Sequence, residues 1–483
     1  MSDHFGSIAV SDADGLTPSQ RALLAERLRG RGIAAGSGRF IPVQRGGEGQ
    51  APVSAEQQQI LYHTYFVPGN PVYNEAVVIV KDGPLDLDAL RVAFNQLVER
   101  HDIWHTTFRR VGRDLTQLVG PARSYPLPLI DMSNLPAAER ERRVADLVRM
   151  DATAAFDLKS GPLLRPILVR FDENHHRLYL AIHHIIFDGV SLYRVILPEI
   201  IALYDAALGR SAPLAPPLVQ YADYARWQRS GVLDEEMRRY LPYWRKRLAD
   251  APTLSLPLDK PRPTEQRFHG STEWFVVPKG VVDQLRALGS PVGGTLFHVL
   301  VTAYALLLRR YTGDDDLVFA TVADLRRRRE FESMVGYCLT PLPVRIQVAA
   351  RATFAELVAT VRGELLDGLS NLVPFERMVD DLQPVHAPGA NPVFQAMIVL
   401  EPPTTAPHAE WSLHQIDARI GRELGHAKTD FHFELDERPE GYLSGRFIFN
   451  TDLFHADFGP RVVADWLALL DDLVSTSRLP VAL

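Results

Sequence analysis

Residues Ala181–Ser191 read A-I-H-H-I-I-F-D-G-V-S, and this stretch constrains the rest of the chain most tightly. Arg177–Phe187 is rich in aliphatic and β-branched residues, which predicts a buried strand. Leu163–Asp172 is a second apolar run, and Glu173–His176 between them suits a hairpin turn. Asp188-Gly189 is a turn signal, and the pattern from Ser191 onward is helical. A persisting strand sends successive side chains to opposite faces, so His183 and His184 cannot chelate a metal together. One is expected to be structural and the other to face a cavity. A neutral imidazole in a cavity can accept a proton from an attacking amine or hydroxyl near pH 7, which suits acyl transfer. Asp188 could orient an imidazole or anchor an arginine, and two packed histidines at a strand end remain the plainer reading.

The chain has 483 residues, too many for one ordinary core, so two lobes are expected. Its 52 basic and 59 acidic residues leave a net charge of −7, which predicts no nucleic-acid partner. Cys338 is the only cysteine, excluding an internal disulfide and any multi-cysteine metal site. Residues 1–7 lack the pattern of a secretory signal, and Thr295–Leu308 is apolar but short and broken by His298. A buried helix and a cytoplasmic, non-membrane protein are expected. Thr17–Leu28 has a capping box and a leucine face, predicting a short helix ahead of a Gly-rich tether at Gly32–Ala51. Residues 1–52 are therefore expected to be a flexible leader, either passive or docking a partner. The three aspartates at 314–316 and the arginines at 326–329 read as solvated loops when taken alone.

The spacing His-His-x-x-x-Asp-Gly at 183–189 resembles the signature of nonribosomal peptide synthetase condensation domains, within the chloramphenicol acetyltransferase-like superfamily. Other segments resemble further family motifs in the expected order. Val53–Tyr62 is similar to the first, with Gln59 and Leu61 where arginine and tryptophan are usual. Arg100–Phe108 is similar to the second, with Trp104 and His105 in place of leucine and arginine. Tyr221–Gln228 resembles the fourth; Val335–Arg345 resembles the fifth but carries Thr340-Pro341 instead of Asn-Thr. Pro374–Arg377 matches the tail of the sixth, Asn391-Pro392 with Phe394-Gln395 the seventh, and Leu443–Phe454 a late strand.

The resemblance implies an α/β (α+β) fold of two chloramphenicol acetyltransferase-like lobes, residues 53–230 and 231–483, set in a V around a central substrate tunnel. It implies transfer of an acyl group from a carrier protein's phosphopantetheine thioester to an amine or hydroxyl, carrier-bound or free. His184 takes the catalytic position beside His183, as base or positioning group. Asp188 is expected to pair with Arg326, and the Gly189 N–H to lie near the developing oxyanion. Ser191, Tyr337 and Thr340 are expected along the tunnel. No cofactor of its own and no metal is implied, and a monomer is expected. The histidines argue against a cyclization domain, and an epimerization domain's late glutamate segment is not found. The sequence ends after one condensation unit, which predicts a free-standing enzyme or a natural fragment that meets its substrates in trans; the alternative is an inactive platform that recruits carrier proteins or tailoring enzymes.

Overall fold

The computed structural model describes residues 49–349, 351–401, 408–415 and 425–475, so the helix expected at Thr17–Leu28 lies outside the described residues. In chain order the strands are β1 (Gly49–Pro52), β2 (Asn74–Asp82), β3 (Thr106–Val111), β4 (Asp114–Val119), β5 (Leu129–Asp131), β6 (Leu164–Asp172) and β7 (His175–His183). They continue with β8 (Gly270–Val277), β9 (Asp316–Asp324), β10 (Leu339–Gln347), β11 (Ala396–Glu401), β12 (Trp411–Gln415), β13 (Phe431–Glu437) and β14 (Leu443–Asn450).

Two main sheets result. The first runs β12-β2-β7-β6-β5 and the second β10-β9-β11-β13-β14-β8; a small third sheet is β1-β4-β3. In the first, β6 and β7 form an antiparallel hairpin and β2 pairs antiparallel with the other edge of β7, with Glu75 opposite Ile182. Strand β12 comes from far along the chain yet pairs antiparallel with β2, Trp411 opposite Lys81. In the second sheet β11 lies parallel to both β9 and β13, while β13 and β14 pair antiparallel.

The helices follow their local signals. Leu87–Arg100 starts where the Asp86 carboxylate accepts from the amides of Asp88 and Ala89, and it packs on the helix Leu197–Ala207. Leu296–Thr312 begins with His298 capping the Thr295 amide at 2.9 Å, which explains the polar residue in an apolar run. Leu296 and Val299–Leu308 of that helix are buried, and the Tyr304 hydroxyl donates to the Phe431 carbonyl at 3.0 Å. Phe431, Phe433 and Phe447 pack beneath it against Trp466 and Phe458. Each such ring removed from water contributes about 1.5–3 kcal/mol. No single helix among the described residues is long and apolar enough to cross a membrane.

After the histidines the helical segment carries Pro198, a residue that would kink a helix interior. A short helical turn, Gly189–Ser191, runs into one widened turn, Leu192–Ile196, before the regular helix begins. Pro198 sits in the first turn of that helix, where its missing N–H is tolerated, and the irregularity lies upstream of it.

Candidate functional site

Strand β7 ends at His183, and His184–Ile186 is a tight helical turn, so strict alternation stops between the two histidines. The backbone is held on both sides: the His183 amide donates to the Leu163 carbonyl at 3.0 Å and the His184 amide to that of Tyr73 at 2.7 Å. His183 Nδ1 accepts from the Ile185 amide at 3.3 Å, and its ring packs against Tyr73 and Phe156. Burial, then His184 and Lys428, push its pKa down to about 3. It is a neutral strut and does not line the cavity that His184 faces, which corrects its inclusion among the catalytic residues.

His184 Nδ1 lies 3.0 Å from the Phe187 carbonyl oxygen. A carbonyl can only accept, so Nδ1 carries the proton and Nε2 keeps its lone pair. The ring stacks on Phe187 and meets the edge of Tyr337, both centroids at 4.9 Å. Burial, with the Lys428 ammonium, lowers its pKa below 6.5 against the opposing pull of Glu75, so the imidazole is neutral at pH 7. This side chain lines a cavity between the two main sheets, with Tyr337, Glu75 and Phe187 nearby and strands β11, β13 and β14 opposite.

Asp188 turns away from this cavity. Its Oδ2 accepts from Arg326 Nη1 and the Cys338 amide, both at 2.8 Å. Its Oδ1 accepts from the Ser191 amide and hydroxyl at 2.8 Å and from Arg326 Nη2 at 3.1 Å. Arg326 donates further to the carbonyls of Met334 and Gly336 and to Asp324. Burial alone would lower the guanidinium's pKa; the Asp188 carboxylate more than reverses that and holds it firmly protonated. The network ties the segment after the histidines to the loop between β9 and β10, so Arg326 is not the solvated loop residue that its run of arginines suggests.

Two of the expected tunnel residues are placed elsewhere. Ser191 is fully buried within the Asp188–Arg326 network and does not reach the cavity. Thr340 accepts from the Phe375 amide at 2.9 Å, on the face of β10 opposite to Leu339 and Pro341, which do line the cavity. Tyr337 does line it, and its carbonyl accepts from the Tyr221 hydroxyl at 2.5 Å. Gly336 has φ +152°, and a Cβ there would lie 1.9 Å from the Tyr221 ring, so only glycine fits. Gly189 also lines the cavity; a Cβ there would lie 3.0 Å from Oε1 of Glu401, so its bareness leaves room for that carboxylate.

Sequence reasoning missed the charged wall opposite His184. Lys428 donates to Glu75 at 2.8 Å, and Arg446 donates to Glu434. Burial would raise the Glu75 pKa, but Lys428, His184 and Arg446 together lower it, so it stays ionised. The signal was available in β13, F-H-F-E-L-D-E: the phenylalanines and Leu435 face the core, which puts His432, Glu434 and Asp436 on the other face. Polar parity on a strand buried on both sides marks a cavity. His63 and Tyr73 complete the floor, joined between Nδ1 and the hydroxyl at 2.5 Å.

A mixed α/β fold with an imidazole at such a cavity defines a chloramphenicol acetyltransferase-like protein, and the comparisons agree. The Streptomyces globisporus protein SgcC5, solved in complex with (R)-(-)-1-(2-naphthyl)-1,2-ethanediol and sucrose, matches with TM-score 0.77 at 25% identity, covering 89% of this chain and 100% of that one. Residues 47–482 match the Condensation domain family, and the chain belongs to it. It is 33% identical over 441 residues to phosphinothricin tripeptide synthetase PhsC of Streptomyces viridochromogenes, covering 91% of this chain and 40% of that protein. It is likewise 33% identical over 468 residues to a linear gramicidin synthase protein of Brevibacillus parabrevis, covering 95% of this chain and 9% of that protein. The chain thus spans less than half the length of either synthetase.

Proposed function

We propose that this chain transfers an acyl group from the phosphopantetheine thioester of a carrier protein to an amine or hydroxyl acceptor. The observation that carries the reading is the fixed tautomer of His184, a cavity-lining ring whose Nδ1 is held by Phe187 so that Nε2 keeps its lone pair. In the proposed reaction the acceptor's nitrogen or oxygen attacks the thioester carbonyl carbon. Nε2 takes the proton that the nucleophile loses, the C–S bond breaks, and the proton passes to the departing thiolate. The products are an amide or ester and a free thiol. The wall of Lys428, Arg446 and their carboxylate partners keeps the site polar.

The two lobes are taken as residues 53–230 and 231–483, with β12 of the later lobe completing the sheet of the earlier one. Asp188 and Arg326 are assigned to holding the histidine turn, and His183 to supporting the strand end. The donor and the carrier that delivers it are read from family membership. Incubating the protein with an acyl-loaded carrier and candidate acceptors, followed by intact-protein mass spectrometry, tests the reading. His184→Ala should lose about a hundredfold or more of product formation with an unchanged melting transition. Wild-type turnover by that variant would remove His184 from the reaction.

A further inference from the structure

Three carboxylates and two cations line the cavity: Glu75, Glu401 and Glu434 against Lys428 and Arg446. The pairs Lys428–Glu75 and Arg446–Glu434 use both cations. Glu401 is left with no ion pair or hydrogen bond among the described residues. Burial first, then the negative charges of Glu434, Asp436 and Asp188, push its pKa up to about 7, against the smaller pull of Arg446. A desolvated carboxylate without a partner is costly, and a cation entering beside it relieves that cost.

The strand that bears it shows what such a cation would be attached to. Met397, Val399 and Glu401 of β11 all line the cavity, and their spacing of two places them on one face. The row is apolar for two positions and ends in an acid, spanning roughly 13 Å from end to end at about 3.3 Å per residue. Gly189 leaves open the space in front of the carboxylate. We propose that Glu401 is a specificity-determining residue for a substrate carrying an aliphatic chain that ends in a cationic group, as in a basic amino acid. Met397 and Val399 pack the chain and Glu401 binds its charged end. That the ligand is a substrate of acyl transfer rests on the function proposed above; that it binds here does not.

The test therefore measures binding apart from turnover. Acetylated lysinamide and acetylated norleucinamide share a backbone and an aliphatic stem and differ in one ammonium. Titrated into the full chain at about pH 8, where the carboxyl is ionised, the lysine compound should bind about tenfold tighter or better. Glu401→Gln should abolish the difference, whereas His184→Ala should retain it. Equal affinities in the wild type, including binding of neither compound, would overturn the proposal, and so would a preference that survives in Glu401→Gln. With carrier-loaded donor and free acceptors, the same preference should appear in kcat/KM. Absence of turnover with every acceptor would count against the acyl-transfer reading and leave the binding result to decide this one.

Discussion

His184 is held at a protonation state as well as at a position. Its folded pKa lies below 6.5, and the neutral form is the one that accepts a proton. Activity limited by this group should therefore be flat from neutral pH down past about 6.5 and fall only as the pH drops through the lowered value. A rate profile for a fixed donor and acceptor checks this; an acidic limb centred above the ordinary histidine value would contradict it. At this scale the sequence was most legible where one residue does one thing. His184, Asp188 and Arg326 stand out because a turn, a base and a buried charge need those residue types at that spacing. Ser191 and Thr340 were misplaced because a short polar side chain serves a cavity and a buried network equally well. Only the facing direction separates the two roles. Glu75, Glu401 and Lys428 were not singled out, since a charged residue in or near a strand reads as a strand end until its partner across the fold is known.

Between elements, the Asp188–Arg326 pair works as a clamp. Both side chains are buried; removing Arg326 leaves Asp188 without a cation, and removing the Asp188 charge leaves Arg326 with only the more exposed Asp324. Asp188→Asn or Arg326→Ala should cost about 3–5 kcal/mol of unfolding free energy, read by urea denaturation; transitions matching the wild type would refute the clamp. A second buried acid makes the opposite case. Glu376 opens the helix Phe375–Leu382, its nearest cation is Arg229 at 3.7 Å, and burial, against Arg229, pushes its pKa up to about 7. The native state then binds a proton that the unfolded chain has released, so this group's contribution falls as pH rises from about 4.5 to 7. Glu376→Gln removes that loss. Relative to the wild type it should gain about 1.4 kcal/mol per pH unit across this window and nothing further above it. Urea midpoints near both ends of the window test the sign. Element type was readable where an apolar run allowed it, as the buried helix at 296–312 shows. The widened turn at 192–196 was not, because it is set by packing after the turn rather than by local propensity.

For the molecule as a whole, the reading of a carrier-delivered donor predicts discrimination against small thiols. Docking of a protein surface raises the local concentration of its tethered thioester, an advantage that a free thioester lacks. Carrier-loaded acyl groups should be used at least about tenfold faster than the same group on a small soluble thiol at equal concentration. Equal rates would make this a small-molecule acyltransferase. The two-sheet architecture was legible as a class of fold, but the partner of β2 was not: no local pattern tells residues 411–415 to join a sheet begun at residue 74. That pairing also has a consequence for synthesis. On the ribosome, β2, β7 and β6 can meet once residue 183 has emerged, yet the outer edge of β2 stays bare until Gln415 follows. At about 5–20 residues per second that interval is on the order of tens of seconds. Throughout it a hydrophobic strand offers unpaired amides and carbonyls to any neighbouring chain. The nascent protein thus passes through a stage in which its own late strand competes with aggregation for one edge, and slow translation or a stop before β12 favours the competitor.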